Sequence, residues 1–304
     1  MRIVILDGHT LNPGDNPWDA VAKLGELTIH DHTLPGQIVA RARNADIIIT
    51  NKAPLSAESL AQLPKLRFIA VTATGYNIVD VAAARQRGIP VVNVPEYGTD
   101  SVAQFTIALL LELCHRVGQH HAAVQAGRWG AQPDFCFWDT PQVELAGKTI
   151  AIIGHGRIGK RVGEIARALG MEVRIASRDR TVVSRADVVT LHCPLTADNT
   201  GLVNREFLAR LKPTAFLINT ARGVLVVEQD LADALNAGKL AGAAMDVVSA
   251  EPIKPDNPLL QARNCLITPH MAWASLAARR RLMQTTAENI RAFQAGKPVN
   301  VVNP

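Results

Sequence analysis

The chain has 304 residues, of which 48% are hydrophobic, 4% aromatic and 19% charged, with a net charge of +5 and four cysteines. This length favours two domains of roughly 150 residues each, and no apolar run approaches the roughly 18 residues that span a bilayer, which argues against a membrane protein. The cysteines form neither a CxxC pair nor a zinc-ligand spacing with histidine, which argues against a disulfide framework or a metal site. Without a basic arm, no nucleic-acid partner is expected. We expect a cytoplasmic protein with free thiols.

Short β-branched runs alternate with helix-like patterns up to about residue 97, beginning with "RIVIL", "LTIH" and "DIIIT". This alternation is typical of the βαβ units of a parallel sheet. A long helix is predicted through "TDSVAQFTIALLLELCHRV", followed by the aromatic segment "GRWGAQPDFCFWDTPQVELAG". A second alternating series begins at "KTIAIIG" and ends at "CLITP", and a last helix is predicted from about Ala274 to Gln294. The pattern predicts an α/β protein with two doubly wound parallel sheets.

A glycine-rich turn opens the second series. In "TIAIIGHGRIGKRVGEIARALG" a strand is followed by Gly154-x-Gly156-x-x-Gly159 and then by an amphipathic helix. Gly154 permits a tight turn, Gly156 lets the backbone approach a pyrophosphate, and Gly159 lets the helix pack close to the strand. The helix N-terminus presents free N–H groups to the phosphates. This context predicts dinucleotide binding; the alternative is a glycine turn without a ligand.

The next strand ends in "IASRDR", where an NAD-specific protein usually carries an acidic residue. This chain has Ser177 and Arg178 there. Serine does not repel a 2′-phosphate, and Arg178, helped by Arg180, can form charge-assisted hydrogen bonds with its oxygens. The sequence therefore predicts NADP(H) as the preferred cofactor with NAD(H) as possible, unless the arginines only face solvent.

Three motifs, "INTARGVLV", "AMDVVSAEP" and "TPHMAWAS", strongly resemble those of the D-isomer-specific 2-hydroxyacid dehydrogenases. "TNKAPLS" and "ATGYNIVD" are most similar to the glycerate dehydrogenase/hydroxypyruvate reductase branch. The resemblance implies a flavodoxin-like substrate domain of residues 1–98 plus 272–304 and a Rossmann nucleotide domain of residues 99–271. It also implies a homodimer formed through the segment from Thr99 to Gly147, and reduction of hydroxypyruvate or glyoxylate to D-glycerate or glycolate. With the cofactor preference predicted from Ser177 and Arg178, the expected reductant is NADPH.

The resemblance assigns the chemistry to three side chains. Arg222 is expected to bind the substrate carboxylate, which a guanidinium can do with two parallel bonds. His270 is expected to be the acid/base, because histidine titrates near neutral pH, and Glu251 is expected to orient its ring. All three follow successive predicted strands, at the end of the sheet where α/β proteins bind ligands.

The motifs and the resemblance together predict two further groups of residues. The predicted cofactor-binding residues are Gly154, Gly156, Arg157, Ile158, Gly159, Ser177, Arg178, His192, Cys193, Pro194, Thr220, Ala221 and Asp246. The predicted substrate-binding residues are Lys52, Thr74, Gly75, Tyr76, Arg222 and His270.

Two departures from the family pattern concern the adenine side of the nucleotide. Ser177-Arg178 stands where this branch often has an acid, and the segment after Arg180 falls where the family carries a longer loop and helix. A crossover with its helix normally takes at least roughly 10 to 12 residues, so this connection is short or part of it is absent from the sequence. Alternatives are a broad 2-keto acid reductase and, from another class, a nucleotide-sensing corepressor similar to the C-terminal binding proteins. A formate dehydrogenase is disfavoured, because that relative pairs its histidine with glutamine.

Overall fold

The computed structural model describes residues 1–176 and 180–304. The chain forms two compact units, the first made of Met1–Gly98 and Ala274–Pro304 and the second of Thr99–Trp273. Within the described ranges, no helix has both the length and the apolar character needed to cross a bilayer.

The regular elements alternate along the chain as the sequence predicts. The strands are β1 (Arg2–Ile5), β2 (Glu26–Ile29), β3 (Ile47–Thr50), β4 (Phe68–Val71), β5 (Val91–Val92), β6 (Thr149–Ile153), β7 (Glu172–Ile175), β8 (Val188–Leu191), β9 (Phe216–Asn219), β10 (Gly242–Met245) and β11 (Cys265–Ile267). The α-helices are α1 (Asp19–Ala22), α2 (Ile38–Ala42), α3 (Ala57–Ala61), α4 (Val81–Gln86), α5 (Thr99–His115), α6 (Val117–Gln125), α7 (Arg157–Ala168), α8 (Arg205–Leu208), α9 (Glu228–Asn236) and α10 (Leu276–Gln294). Short 3-10 helices cover Pro35–Gln37, Arg180–Arg185, Ala197–Asn199, Gly223–Leu225 and Pro258–Gln261.

The first unit is a five-stranded sheet in the order β2-β1-β3-β4-β5, and its strand pairs are parallel. This is the flavodoxin-like order. Every residue of β3 and β4 is buried, as expected for a parallel sheet with helices on both faces. The Phe68 ring on β4 stacks on Phe293 of α10 at 4.4 Å between centroids, so the C-terminal helix completes the core begun by the N-terminal strands.

The second unit is a six-stranded parallel sheet in the order β11-β10-β9-β8-β6-β7. Separate apolar clusters pack on its two faces, one including Leu217 and Leu231 and the other including Leu110 and Val162. The predicted class, two doubly wound parallel sheets, is confirmed. The classical Rossmann order has a further strand beyond the second. In the described ranges β7 is instead the edge, because its short connection to β8 contains only the 3-10 helix Arg180–Arg185.

Candidate active site

Most of the predicted site residues of the second unit lie at one edge of its sheet. In a parallel sheet the carboxyl ends of all strands meet at the same edge, where ligands bind. From β6, β8, β9, β10 and β11, the residues that follow the strand ends are Gly154, His192, Thr220 to Arg222, Asp246 and His270 respectively. The fold therefore brings together residues that are more than a hundred positions apart in sequence.

The glycine turn is shaped by close backbone contacts. A Cβ on Gly154, whose φ is +99°, would lie 2.3 Å from the Cys193 nitrogen, and one on Gly159 would lie 2.1 Å from the Gly154 oxygen. At Gly156, the N-cap of α7, nothing lies within 4 Å of the corresponding position. The turn is thus closely packed at Gly154 and Gly159 and open at Gly156. Helix α7 begins there with Arg157 and Ile158, and such an open helix N-terminus suits the pyrophosphate of a dinucleotide.

The loop after β8 lies against this turn. The His192 ring Nε2 is 2.9 Å from the Thr190 hydroxyl. Burial lowers the pKa of His192 to about 3, so its ring is neutral at physiological pH. Cys193 is half-buried and Pro194 is exposed. The loop therefore presents a neutral, mostly apolar surface next to the dinucleotide turn.

The turn that carries Arg222 is held by the fully buried Asn219 at the end of β9. The Asn219 amide donates to the Arg222 carbonyl oxygen at 2.9 Å, and its Oδ1 accepts from the Ala221 N–H at 3.0 Å. The Thr220 hydroxyl lies 3.0 Å from that of Thr106. Arg222 itself is exposed, with Nη1 donating to the Ala221 carbonyl at 2.7 Å. Its guanidinium can therefore turn towards an anionic substrate without breaking an ion pair recorded in the described residues.

His270 and Glu251 form a hydrogen-bonded pair. The His270 Nδ1 and the Glu251 Oε2 are 2.7 Å apart, and the side chains are 29% and 33% exposed. An ionised carboxylate at this distance favours the protonated imidazole and fixes which ring nitrogen points away from it. The pair has the geometry of an oriented acid/base.

Asp246 supports the turn that presents His270. The His270 backbone has φ of +52°, a left-handed conformation that is uncommon for histidine. The buried Asp246 carboxylate accepts from the Thr268 hydroxyl at 2.6 Å and from the N–H groups of Met271 and Ala272 at 2.9 Å. Burial raises the pKa of Asp246, and these donors oppose the rise. Asp246 thus holds the residues on both sides of His270.

The remaining predicted substrate residues belong to the first unit, after the carboxyl ends of β3 and β4. The backbone N–H groups of Lys52 and Ala53 both donate to Asp7, the latter at 2.8 Å, and the Lys52 side chain is exposed. The Thr74 hydroxyl donates to the Val94 carbonyl at 3.1 Å. Gly75 and Tyr76 follow it, and Tyr76 is 39% exposed. Hydrogen bonds thus anchor both loops, the one after β3 and the one after β4, while the Lys52 and Tyr76 side chains stay exposed.

Ser177 and Arg178 lie outside the described residues, and the side chain of Arg180 is likewise outside them. The cofactor preference drawn from them stays a prediction. In the part of the chain that is described, no group of three or more His, Cys, Asp or Glu side chains could hold a metal ion.

Residues 107–272 match the model of the D-isomer specific 2-hydroxyacid dehydrogenase NAD binding domain. Along its whole length the chain is 50% identical to the hydroxypyruvate reductase of Blautia hydrogenotrophica, all of which is covered. The chain belongs to the D-isomer specific 2-hydroxyacid dehydrogenase family. That alignment occupies 322 positions, 18 more than the 304 residues of the chain. The Blautia protein therefore has residues at positions where this chain has none.

Two other proteins are also similar to the chain. The glycerate dehydrogenase of Methylorubrum extorquens is 42% identical over 88% of each chain. A solved structure, the NADPH-dependent glyoxylate/hydroxypyruvate reductase of Sinorhizobium meliloti in complex with NADP and malonate, superposes with a TM-score of 0.83 at 28% identity, covering 99% of this chain and 96% of that one.

Several residues that shape the site were not predicted from the sequence. Asn219 and Asp7 are polar residues at the carboxyl ends of predicted strands. Because ligands bind at that edge of a parallel sheet, their positions could have identified them from the sequence. Gly223 directly follows Arg222, and a Cβ on it would lie 1.9 Å from the Val248 carbonyl carbon. Glu228 carries no signal of its own, because an acid in the first turn of a helix is common.

Proposed function

We propose that this family member transfers hydride from NADPH to a small 2-keto acid, hydroxypyruvate or glyoxylate, and forms D-glycerate or glycolate. The observation that carries the proposal is the 2.7 Å contact between His270 and Glu251 at the sheet edge that also carries the Gly154–Gly159 turn. The names of the similar relatives, hydroxypyruvate reductase and glycerate dehydrogenase, support the substrate class.

Arg222 and His270 have separate roles on the substrate, one in binding and the other in proton transfer. The Arg222 fork binds the planar carboxylate with two parallel hydrogen bonds. The His270 Nδ1 is engaged by Glu251, so Nε2 donates the proton to the carbonyl oxygen in reduction and accepts it in oxidation. Glu251 keeps the ring oriented and stabilises its charged form. When bound, the nicotinamide supplies the hydride.

The cofactor would be held by the groups around the glycine turn. The N-terminus of α7, with Gly156, Arg157 and Ile158, would hold the pyrophosphate, and the loops at 192–194 and 220–221 would contact the cofactor beside it. We assign the selection of NADPH to Ser177 and Arg178, since neither repels a 2′-phosphate. The Sinorhizobium relative, whose name states NADPH dependence, supports NADPH as a cofactor.

We assign the substrate domain to residues 1–98 plus 272–304 and the nucleotide domain to residues 99–271. The family model matched at residues 107–272 supports the second assignment, and the compact units divide after Trp273. In the substrate domain, the backbone N–H groups around Thr74, Gly75 and Tyr76 would hold the substrate carboxylate, with Lys52 as a further cation.

A panel of small 2-keto acids assayed with NADPH and NADH tests the function. Hydroxypyruvate or glyoxylate should give the highest kcat/KM, and His270→Gln should abolish most turnover while leaving NADPH binding near normal. Tight NADPH binding without turnover of any keto acid would instead favour the nucleotide-sensing corepressor, an alternative that the relatives' names do not support.

We also propose a two-fold homodimer formed through the region between Thr99 and Gly147. No residue of α6 is buried, and large apolar side chains are exposed in and after it: Val117 at 64%, Trp129 at 50%, Phe135 at 88% and Trp138 at 65%. Large apolar side chains exposed within one segment point to an interaction site, and most soluble oligomers are two-fold dimers. Light scattering at micromolar concentration should give a dimer mass, and a monomer mass would refute the proposal.

A further inference from the structure

We propose that Glu228 is a positioning residue that holds Glu251 against His270, an inference that rests on the proposed function of that pair. Glu228 is the first residue of α9 and is half-buried. Its carboxylate accepts three hydrogen bonds from the loop of residues 249–257, which carries Glu251. The Ser249 N–H donates to Oε1 at 2.7 Å, and the Ser249 hydroxyl and the Asn257 amide donate to Oε2 at 2.7 and 3.0 Å.

These bonds anchor the loop at both ends. Ser249 precedes Glu251 by two residues, and the buried Asn257 ends the loop, where its Oδ1 also accepts from the Leu259 N–H at 3.0 Å. One carboxylate on a helix therefore fixes the entry and the exit of the segment that presents Glu251. Side chains in a reacting constellation need such support, because small misplacements are costly.

The direction of the Glu228 side chain distinguishes this role from that of an ordinary helix-terminal acid. An acid in the first turn is favourable wherever its side chain points. Asp230, in the same turn, accepts from the Arg205 N–H at 2.8 Å, whereas both oxygens of Glu228 face the 249–257 loop. Since α9 follows the Gly223–Leu225 turn directly after Arg222, Glu228 ties the loop of Glu251 to the segment of Arg222.

Among the described residues, two carboxylates contact the His270 turn: Glu251, on the ring, and Asp246, which accepts from the neighbouring backbone. Removing the Glu228 carboxylate should free Glu251 and leave Asp246 in place. Because an ionised carboxylate beside an imidazole favours its charged form, the alkaline limb of kcat/KM for reduction should then move to lower pH, and kcat should fall at least about tenfold.

The decisive experiment is the pH profile of kcat/KM for reduction of hydroxypyruvate, with NADPH binding measured in the same preparations. In Glu228→Ala the midpoint of the alkaline limb should move to lower pH, and in Glu251→Gln the further change Glu228→Ala should add no shift. Gln229→Ala is the matched control, because Gln229 is the next residue of α9 and donates to Asp233 at 2.8 Å. It should keep the wild-type curve.

A wild-type midpoint in Glu228→Ala, or a shift that adds to that of Glu251→Gln, overturns the positioning role. If Glu228→Ala does not fold, Ser249→Ala removes only the hydroxyl donor and should shift the curve less in the same direction; an unchanged curve there also overturns the role. Failure of the proposed function looks different, since the wild-type protein itself would then turn over no keto acid while still binding NADPH.

Discussion

The contact between the Arg222 turn and the Glu251 loop leads to a prediction about Gly223→Ala. An added Cβ would lie 1.9 Å from the carbonyl carbon of Val248 and 2.5 Å from the Ser249 nitrogen, whereas ordinary Cβ contacts begin at 3.4 Å. The two backbones must therefore part by 1.5 Å, the difference between 3.4 and 1.9 Å. The clash is with backbone, so no side-chain rotation relieves it.

The separation should lower activity more than stability. Arg222 precedes the clash by one residue and Glu251 follows Val248 by three, so the substrate-binding and acid/base groups move apart. A misplacement of about 1 Å can cost about a hundredfold in rate, which corresponds to about 2.7 kcal/mol of activation free energy. Overpacking costs about 1–3 kcal/mol of folding stability, less than the roughly 5–15 kcal/mol of a typical domain.

The assay compares kcat/KM for hydroxypyruvate, NADPH binding by fluorescence and thermal unfolding in the same preparations. We expect kcat/KM to fall about a hundredfold while NADPH binding and the folded state persist. Gly36→Ala is the control, because nothing lies within 4 Å of its added Cβ and its φ is not in the left-handed region. A folded Gly223→Ala protein with near-wild-type kcat/KM would refute the idea that this contact sets the spacing of the site.

Four other changes have definite expected outcomes. Arg222→Lys keeps the charge but loses the fork, so KM for the keto acid should rise and kcat fall with NADPH affinity unchanged; a normal kcat/KM would remove Arg222 from the site. Glu251→Gln should move the pH at which reduction is half lost, and the rising limb of oxidation, to lower values, because the charge favouring imidazolium is gone; unmoved or raised limbs contradict the pairing. Wild-type kcat/KM should favour NADPH over NADH at least about tenfold, and Ser177→Asp should erase that preference. A thiol reagent should leave Cys114 and Cys265 unmodified in the folded protein, because burial raises their pKa values to about 11 and about 12, as mass spectrometry of labelled peptides can check.

The sequence by itself determined the architecture of both units and the position of the glycine turn. These features depend on local patterns: β-branched runs four or five residues long, helical spacing between them, and three glycines at fixed offsets. The sequence also identified Arg222, Glu251 and His270 as candidate site residues, because each lies in a motif that follows a predicted strand. Their roles remain proposals, but the structure shows that Glu251 and His270 are in hydrogen-bond contact.

Only the tertiary structure decided which strand ends are neighbours and what supports them. The edge position of β7, the contact of Gly223 with Val248, and the bonds from Glu228 to Ser249 and Asn257 join residues that no local pattern relates. Helix propensity and strand periodicity act over a few residues, whereas these contacts are set by how the sheet orders its strands and by backbone packing between loops. The sequence shows only that a glutamate, Glu228, begins a helix. Whether its carboxylate faces water or binds the loop that carries Glu251 depends on the tertiary structure.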